Sequence, residues 1–292
     1  MPTARGALAQ RWTEVDGVRV FYRESTPRVA DVDVRTMMHL HGFGLSGRYL
    51  LPTAERLSGE FHTLVPDLPG FGRSGRAKGR LDLPELADAA ADFLDAQGVE
   101  TATLVGNSMG CAVICEFAHL HPERLDRAVL VAPAGGLHNQ PLRRAIRQLL
   151  RDGLREPVRL MGVAAPDYVR FGVPSTVQMF RALTRYPALD RLLALRIPTL
   201  VVVGSADPLM PEPPRVREVA GRTDNHVLLV VIHGAAHAIN FSHPGELANV
   251  IRQFMADEPI RDDPNSPGDA RAYEIHRGTR LPPSTAPGAG PA

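Results

Sequence analysis

Three residues far apart in the chain have the types that together make a weak nucleophile reactive. The pentapeptide Gly106-Asn107-Ser108-Met109-Gly110 follows the apolar run TATLV and precedes CAVICEFAHL, so Ser108 stands at a strand-to-helix turn. Such a turn lifts the hydroxyl above a sheet, and glycines two residues to either side remove side chains that would collide where strand and helix meet. A serine hydroxyl is a poor nucleophile at neutral pH, so a base must take its proton and a carboxylate must hold that base in one tautomer. Asp207, in GSADP just beyond the apolar run TLVVV, is the carboxylate. His237, in the small-residue loop HGAAH after another apolar run, is the base, with His233 as its rival. The chain order is Ser108, Asp207, His237, with separations of 99 and 30 residues.

Acyl chemistry also needs donors for a developing oxyanion. The backbone N–H of Met109, at a helix start, is one candidate. The second comes from the loop His41-Gly42-Phe43-Gly44, with the Phe43 amide preferred and Gly42 or Gly44 as alternatives.

The elements that must carry these groups are short apolar segments: 18–23, 35–40, 62–66, 101–106, 127–132, 198–204 and 226–232. Several are almost continuously apolar, as strands covered on both faces of a parallel sheet are. Between them lie helical patterns, such as Pro84 to Gln97 with Leu86, Ala90, Phe93 and Leu94 on one side and Gly98 as a stop. The alternation predicts a doubly wound α/β sheet. It breaks between Ala134 and Arg196, where the sequence is helical throughout; an insertion of that length at a strand end reads as a cap.

HLHGFGLSG, VPDLPGFGRSG, LVGNSMG, VVVGSADPLMP and HGAAHAINFSHP resemble the successive landmarks of the α/β-hydrolase superfamily, from about Val18 to Met255. The resemblance implies an eight-stranded, mostly parallel sheet with helices on both faces and a helical cap after the sixth strand. It further implies hydrolysis with Ser108 as nucleophile, His237 as base and acid, Asp207 orienting it, and no metal or organic cofactor. Asp67, in DLPGFG, resembles the family's structural turn and takes no catalytic role. Serine at 108 departs from the epoxide hydrolase and haloalkane dehalogenase branches, which place an aspartate there. The expected organisation is a core of residues 1–135 and 191–258, a cap of 136–190, and a disordered tail of 259–292, whose 34 residues include 7 Pro and 4 Gly.

The preferred reaction is hydrolysis of a carboxylic ester or related small acyl compound through an acyl enzyme. The GNSMG elbow also resembles that of C–C bond hydrolases acting on dienoic keto acids. Those usually carry Trp after the catalytic histidine, where this chain has Ala238; its only Trp is Trp12. In that reading a cap arginine, such as Arg159, Arg181 or Arg185, would bind the substrate carboxylate. Acyl transfer to another acceptor or to peroxide, and a ligand-binding module without catalysis, are the remaining readings.

Composition bounds the partners. Of 292 residues, 33 are Lys or Arg and 32 Asp or Glu, a formal net charge of +1, which gives no electrostatic reason to expect nucleic acid. The span from Leu137 to Arg196 is locally basic, with 11 Arg, no Lys and 4 acidic residues. It reads as a solvated face, or as a surface steering an anionic substrate or meeting an acidic one. Cys111 and Cys115, four residues apart on a helix, read as core fillers. No stretch approaches the ~18 apolar residues of a membrane span and the first residues lack a signal-peptide pattern, so the expectation is a soluble cytosolic protein acting on a small molecule. The sequence leaves its oligomeric state open.

Overall fold

The computed structural model describes residues 7–25, 34–76, 82–133, 142–210, 227–262 and 273–277. Nine strands form one sheet in the order β1-β2-β4-β3-β5-β6-β7-β8-β9. They are β1 (Leu8–Val15), β2 (Val18–Ser25), β3 (Thr36–Leu40), β4 (His62–Pro66), β5 (Ala102–Asn107), β6 (Leu125–Val131), β7 (Thr199–Gly204), β8 (Val227–Ile232) and β9 (Tyr273–Arg277). β3 to β8 run parallel, while β1, β2 and β9 pair antiparallel at the two edges.

The parallel strands read as continuous apolar runs because both of their faces are covered. β5 and β7 are buried at every residue. One apolar cluster lies under α2 (Leu83–Ala96) and α3 (Met109–Leu120); a second, on the other side, includes Leu57 of α1 (Leu51–Leu57) and the inner face of α8 (Pro244–Met255). α2 begins where the sequence supplies a capping box, Asp82 accepting from the Glu85 amide at 3.0 Å and Glu85 accepting from the Asp82 amide at 3.2 Å. It stops before Gly98, whose φ of +66° suits glycine. Cys111 and Cys115 are buried, free thiols on α3, and burial pushes the Cys115 thiol up to about 12.

Four helices, α4 (Leu142–Gly153), α5 (Val158–Phe171), α6 (Val173–Arg185) and α7 (Ala188–Ala194), lie between β6 and β7. Several arginines of this basic insertion are tied to the core: Arg191 pairs with Glu116 at 2.8 Å, and Arg155 and Arg170 donate to the carbonyls of Ala206 and Gly72 at 2.6 and 3.0 Å.

The tail departs from expectation in one place. Tyr273–Arg277, within the segment read as disordered, forms β9 against β8, so β8 is not the last strand. The Pro- and Gly-rich average of the tail conceals five residues that satisfy the ladder groups of an otherwise open strand edge. The rest of the tail, 263–272 and 278–292, lies outside the described residues. Among the described residues no helix is long and apolar enough to cross a membrane.

The strand order reverses between β3 and β5, since β3 connects onward to β4 on one side and β5 to β6 on the other. Open α/β sheets bind ligands at the carboxyl ends of strands near such a switch point. The His41–Gly44 loop, Ser108, Asp207 and His237 all follow carboxyl ends, those of β3, β5, β7 and β8.

Candidate active site

Ser108 caps the N-terminus of α3 with φ +56° and ψ −113°, a backbone conformation that costs a non-glycine residue about 1–3 kcal/mol. Two backbone bonds hold it there: Ser108 N–H donates to the Val131 carbonyl, and Cys111 N–H to the Ser108 carbonyl, each at 3.0 Å. The flanking glycines are required by close approach. A Cβ on Gly106 would stand 2.5 Å from the Gly110 carbonyl carbon, and one on Gly110 would stand 2.3 Å from the Leu40 oxygen of β3.

The candidate acid and the candidate base meet. His237 Nδ1 and Asp207 Oδ2 are 2.7 Å apart, with the two residues each 8% exposed. Asp207 Oδ1 meanwhile accepts from the Leu209 amide at 2.8 Å, closing an Asx turn, so a local turn and the contact with the imidazole coexist on one carboxylate. The loops after β7 and β8 are joined by Ser205 N–H to Ile232 O, Ala206 N–H to Ala235 O, and Gly234 N–H to Ser205 Oγ. Gly204 makes this approach possible, since a Cβ there would fall 2.2 Å from the Ala235 oxygen. His233, the rival base, is exposed.

The elbow and the His237 loop are connected through Asn107, whose Nδ2 donates to the His237 carbonyl at 3.2 Å and to the Val131 carbonyl at 3.1 Å. The Ser108 hydroxyl makes no hydrogen bond among the described residues, so its contact with the imidazole is not closed here. Such contacts commonly tighten only with substrate in place.

Burial alone would depress the His237 imidazole. The Asp207 carboxylate, by charge and hydrogen bond, and then Asp152 and Glu156 outweigh burial and hold it at about 9.

Sequence reasoning missed the residue that fixes the loop after β3. Tyr49 is buried; its hydroxyl accepts from the Gly42 amide at 2.8 Å and donates to Asn107 Oδ1 at 2.6 Å, bracing the loop against the elbow. The Gly42 N–H is therefore occupied, which removes Gly42 as a candidate oxyanion donor. No bond from the amide of Phe43 or Met109 is seen among the described residues, and the first amides of a helix lack intrahelical partners. A Cβ on Gly42 would lie 3.4 Å from Ser108 Cβ, so this loop runs directly beside the elbow. His41 supports it from beneath: Nε2 accepts the Leu68 amide at 3.0 Å, which leaves the proton on Nδ1 to be donated to the Gly42 carbonyl at 3.0 Å.

Asp67 is consumed by structure, accepting from Arg23, from the Gly47 amide and from the Arg73 amide, each at 2.9 Å.

The insertion supplies an aromatic wall over the loop. The Phe43 ring packs on Phe171 and Phe180 with centroids 5.8 and 5.7 Å away, and Phe171 stacks on Phe71 at 4.6 Å. α5 is anchored there by Asp167, which accepts from the Ser46 amide and hydroxyl at 2.9 and 2.6 Å. Arg159, Arg181 and Arg185, named as possible carboxylate ligands, are exposed. No group of three or more His, Cys, Asp or Glu is arranged to hold a metal among the described residues.

Comparison with known proteins bears on the fold and the family. A curated relative, the pimeloyl-[acyl-carrier protein] methyl ester esterase of Neisseria meningitidis serogroup A, is 28% identical over 87% of this chain and 86% of its own length. The dihydrolipoyllysine-residue acetyltransferase component of the acetoin cleaving system of Cupriavidus necator is 33% identical, over 44% of this chain and only 33% of its own length. Among solved structures, a bacterial membrane phospholipase A superposes with a TM-score of 0.73 at 22% identity, covering 88% of each chain, a likeness of fold. The sequence pattern of the Alpha/beta hydrolase family matches residues 37–250, and the chain belongs to that family.

Proposed function

We propose that this hydrolase cleaves carboxylic esters of small acyl groups with Ser108 as nucleophile, His237 as base and acid, and Asp207 as the group that orients it. The observation that carries this reading is the buried 2.7 Å contact between His237 Nδ1 and Asp207 Oδ2, on a loop that Asn107 ties to the elbow of Ser108. With its Nδ1–H donated in a hydrogen bond to the Asp207 carboxylate, the imidazole presents an unprotonated Nε2 to the serine. Nε2 takes the Ser108 proton as Oγ attacks the ester carbonyl carbon, and the amides of Phe43 and Met109 receive the charge that develops on its oxygen. Collapse expels the alkoxide, which takes the proton from His237. Water, deprotonated by His237 in turn, attacks the acyl carbon, and collapse releases the acid as Ser108 Oγ takes the proton back from His237.

Two further points support an ester over the other reactions. The wall formed by Phe43, Phe171 and Phe180 suits an apolar acyl group, and a relative similar over most of both chains is named an ester esterase. The test is turnover of p-nitrophenyl acetate and butyrate by wild type and Ser108→Ala, beside a ring-fission dienoate. Ester cleavage lost in Ser108→Ala with an unchanged circular dichroism spectrum is the expected result. Rapid dienoate cleavage with negligible ester turnover would replace this reading with C–C bond hydrolysis.

A further inference from the structure

We propose that Asp152 and Glu156, both supplied by the insertion, are positioning residues for His237, gripping its loop through two backbone amides so that the base is held in place only while the insertion is docked. The proposal rests on the reading of His237 as the base.

The loop between β8 and the helical turn at Ile239–Ser242 is built from Gly234, Ala235 and Ala236, with Gly234 at φ +80°. Such residues offer almost no side chain to hold the loop, so its backbone needs partners from elsewhere. Asp152 Oδ1 accepts from the His237 amide at 3.2 Å, and Glu156 Oε1 accepts from the Ala238 amide at 2.5 Å. The same short stretch also grips the loop of the acid: Gln148 Nε2 donates to the Pro208 carbonyl at 3.0 Å and Arg155 Nη1 to the Ala206 carbonyl at 2.6 Å. Residues 148–156 thus hold the carrier of the acid on one side and that of the base on the other.

Asp152 is 6% and Glu156 9% exposed. Burial raises both carboxyls, Glu156 to about 7, and Glu156 Oε2 has no hydrogen-bond partner among the described residues. A carboxylate buried at such cost is a stronger acceptor for an amide than a neutral group and adds negative charge beside the imidazole. The charged groups acting on His237 are Asp207, Asp152 and Glu156, with Arg155 acting on Asp152. Neither carboxylate is needed as the orienting acid, since Asp207 already meets Nδ1; their contacts are with the backbone.

The experiment compares Asp152→Ala and Glu156→Ala with Asp152→Asn and Glu156→Gln, which keep an acceptor oxygen and remove the charge. Three quantities are read: kcat and KM for p-nitrophenyl butyrate against pH, deuterium exchange of the 233–240 amides, and the His237 titration by NMR. The alanine variants should lose ~10–100-fold in kcat with KM within about threefold, the scale expected when a catalytic group is displaced by about an ångström, and the amides of 237 and 238 should exchange faster. The amide variants should recover part of kcat, while the His237 titration and the acidic limb of kcat/KM move to lower pH because negative charge has been removed. Unchanged kcat and exchange in the alanine variants, or an unmoved His237 titration in the amide variants, would overturn the proposal. If the alanine variants do not fold, the titration of the amide pair decides. Exchange and titration need no turnover, so the proposal is tested even in a protein that proves inactive on esters, an outcome that would instead overturn the functional reading.

Discussion

Tyr49→Phe removes a single oxygen and should disturb both stability and catalysis. The hydroxyl is the partner of two buried groups, the Gly42 N–H at 2.8 Å and Asn107 Oδ1 at 2.6 Å. Leaving a buried donor or acceptor unpaired costs about 1–3 kcal/mol for each group. With both partners stranded and the phenyl ring filling nearly the same space, the expected loss is about 2–6 kcal/mol, a large part of the ~5–15 kcal/mol that keeps a typical domain folded. Gly42 adjoins Phe43, and Asn107 bonds the carbonyl of His237, so the same oxygen braces the proposed oxyanion loop and the loop of the base. A kcat reduced ~10–100-fold at nearly unchanged KM is therefore expected alongside the stability loss. Urea unfolding at pH 7 and steady-state turnover of p-nitrophenyl butyrate measure the two effects. A stability change below about 0.5 kcal/mol together with wild-type kcat would refute the bracing role.

Other outcomes follow from the same geometry. His237 acts as a base only when unprotonated, so with its imidazole held at about 9 the acidic limb of kcat/KM should rise through the alkaline range and level off above about 9; a limb centred near 6.5 would show that the surrounding carboxylates leave it unperturbed. Because the folded value lies above the ordinary 6.5, the His237 contacts contribute stability that is complete below pH ~6.5 and lost as pH rises through about 9, an effect of about 3 kcal/mol visible in urea midpoints across that window. Cys111 and Cys115 should resist a thiol reagent such as 5,5′-dithiobis(2-nitrobenzoate) in the native protein and react on unfolding, since burial raises both thiols; rapid native labelling would contradict their packing. Truncation after Asp262 removes β9 and opens the edge of β8, so light scattering should report increased self-association, while turnover per folded molecule stays within a few-fold.

What the sequence made legible is local chemistry. The elbow around Ser108, the proposed acid after β7 and the proposed base after β8 each sit in a short segment whose residue types suit a turn at a strand end. The glycines at 106 and 110 can be read in the same way, because the carbonyl of Leu40 and their own mutual approach leave no room for a Cβ. The supporting groups are another matter. Tyr49 and Asn107 are 58 residues apart, Asp152 and His237 are 85, and no periodicity reports such pairings. That the Gly42 amide is taken up by the Tyr49 hydroxyl is likewise not written in the local sequence. β1 and β2 are joined by an Asp16-Gly17 hairpin turn with φ of +46° and +70°, a two-residue signal that the local sequence does carry. β9 is strand because β8 offers it an edge, a property of its partner rather than of its own residues.

The central claim is that a serine hydroxyl becomes reactive because His237, held by Asp207, can take its proton. The most direct measurement is the rate at which a fluorophosphonate modifies Ser108, followed by intact mass and peptide mapping, in wild type, His237→Ala and Asp207→Asn. Stoichiometric modification at Ser108 in wild type, slowed at least ~10³-fold in both variants, is predicted. Modification of another residue, or an equal rate at Ser108 without His237, would contradict the account.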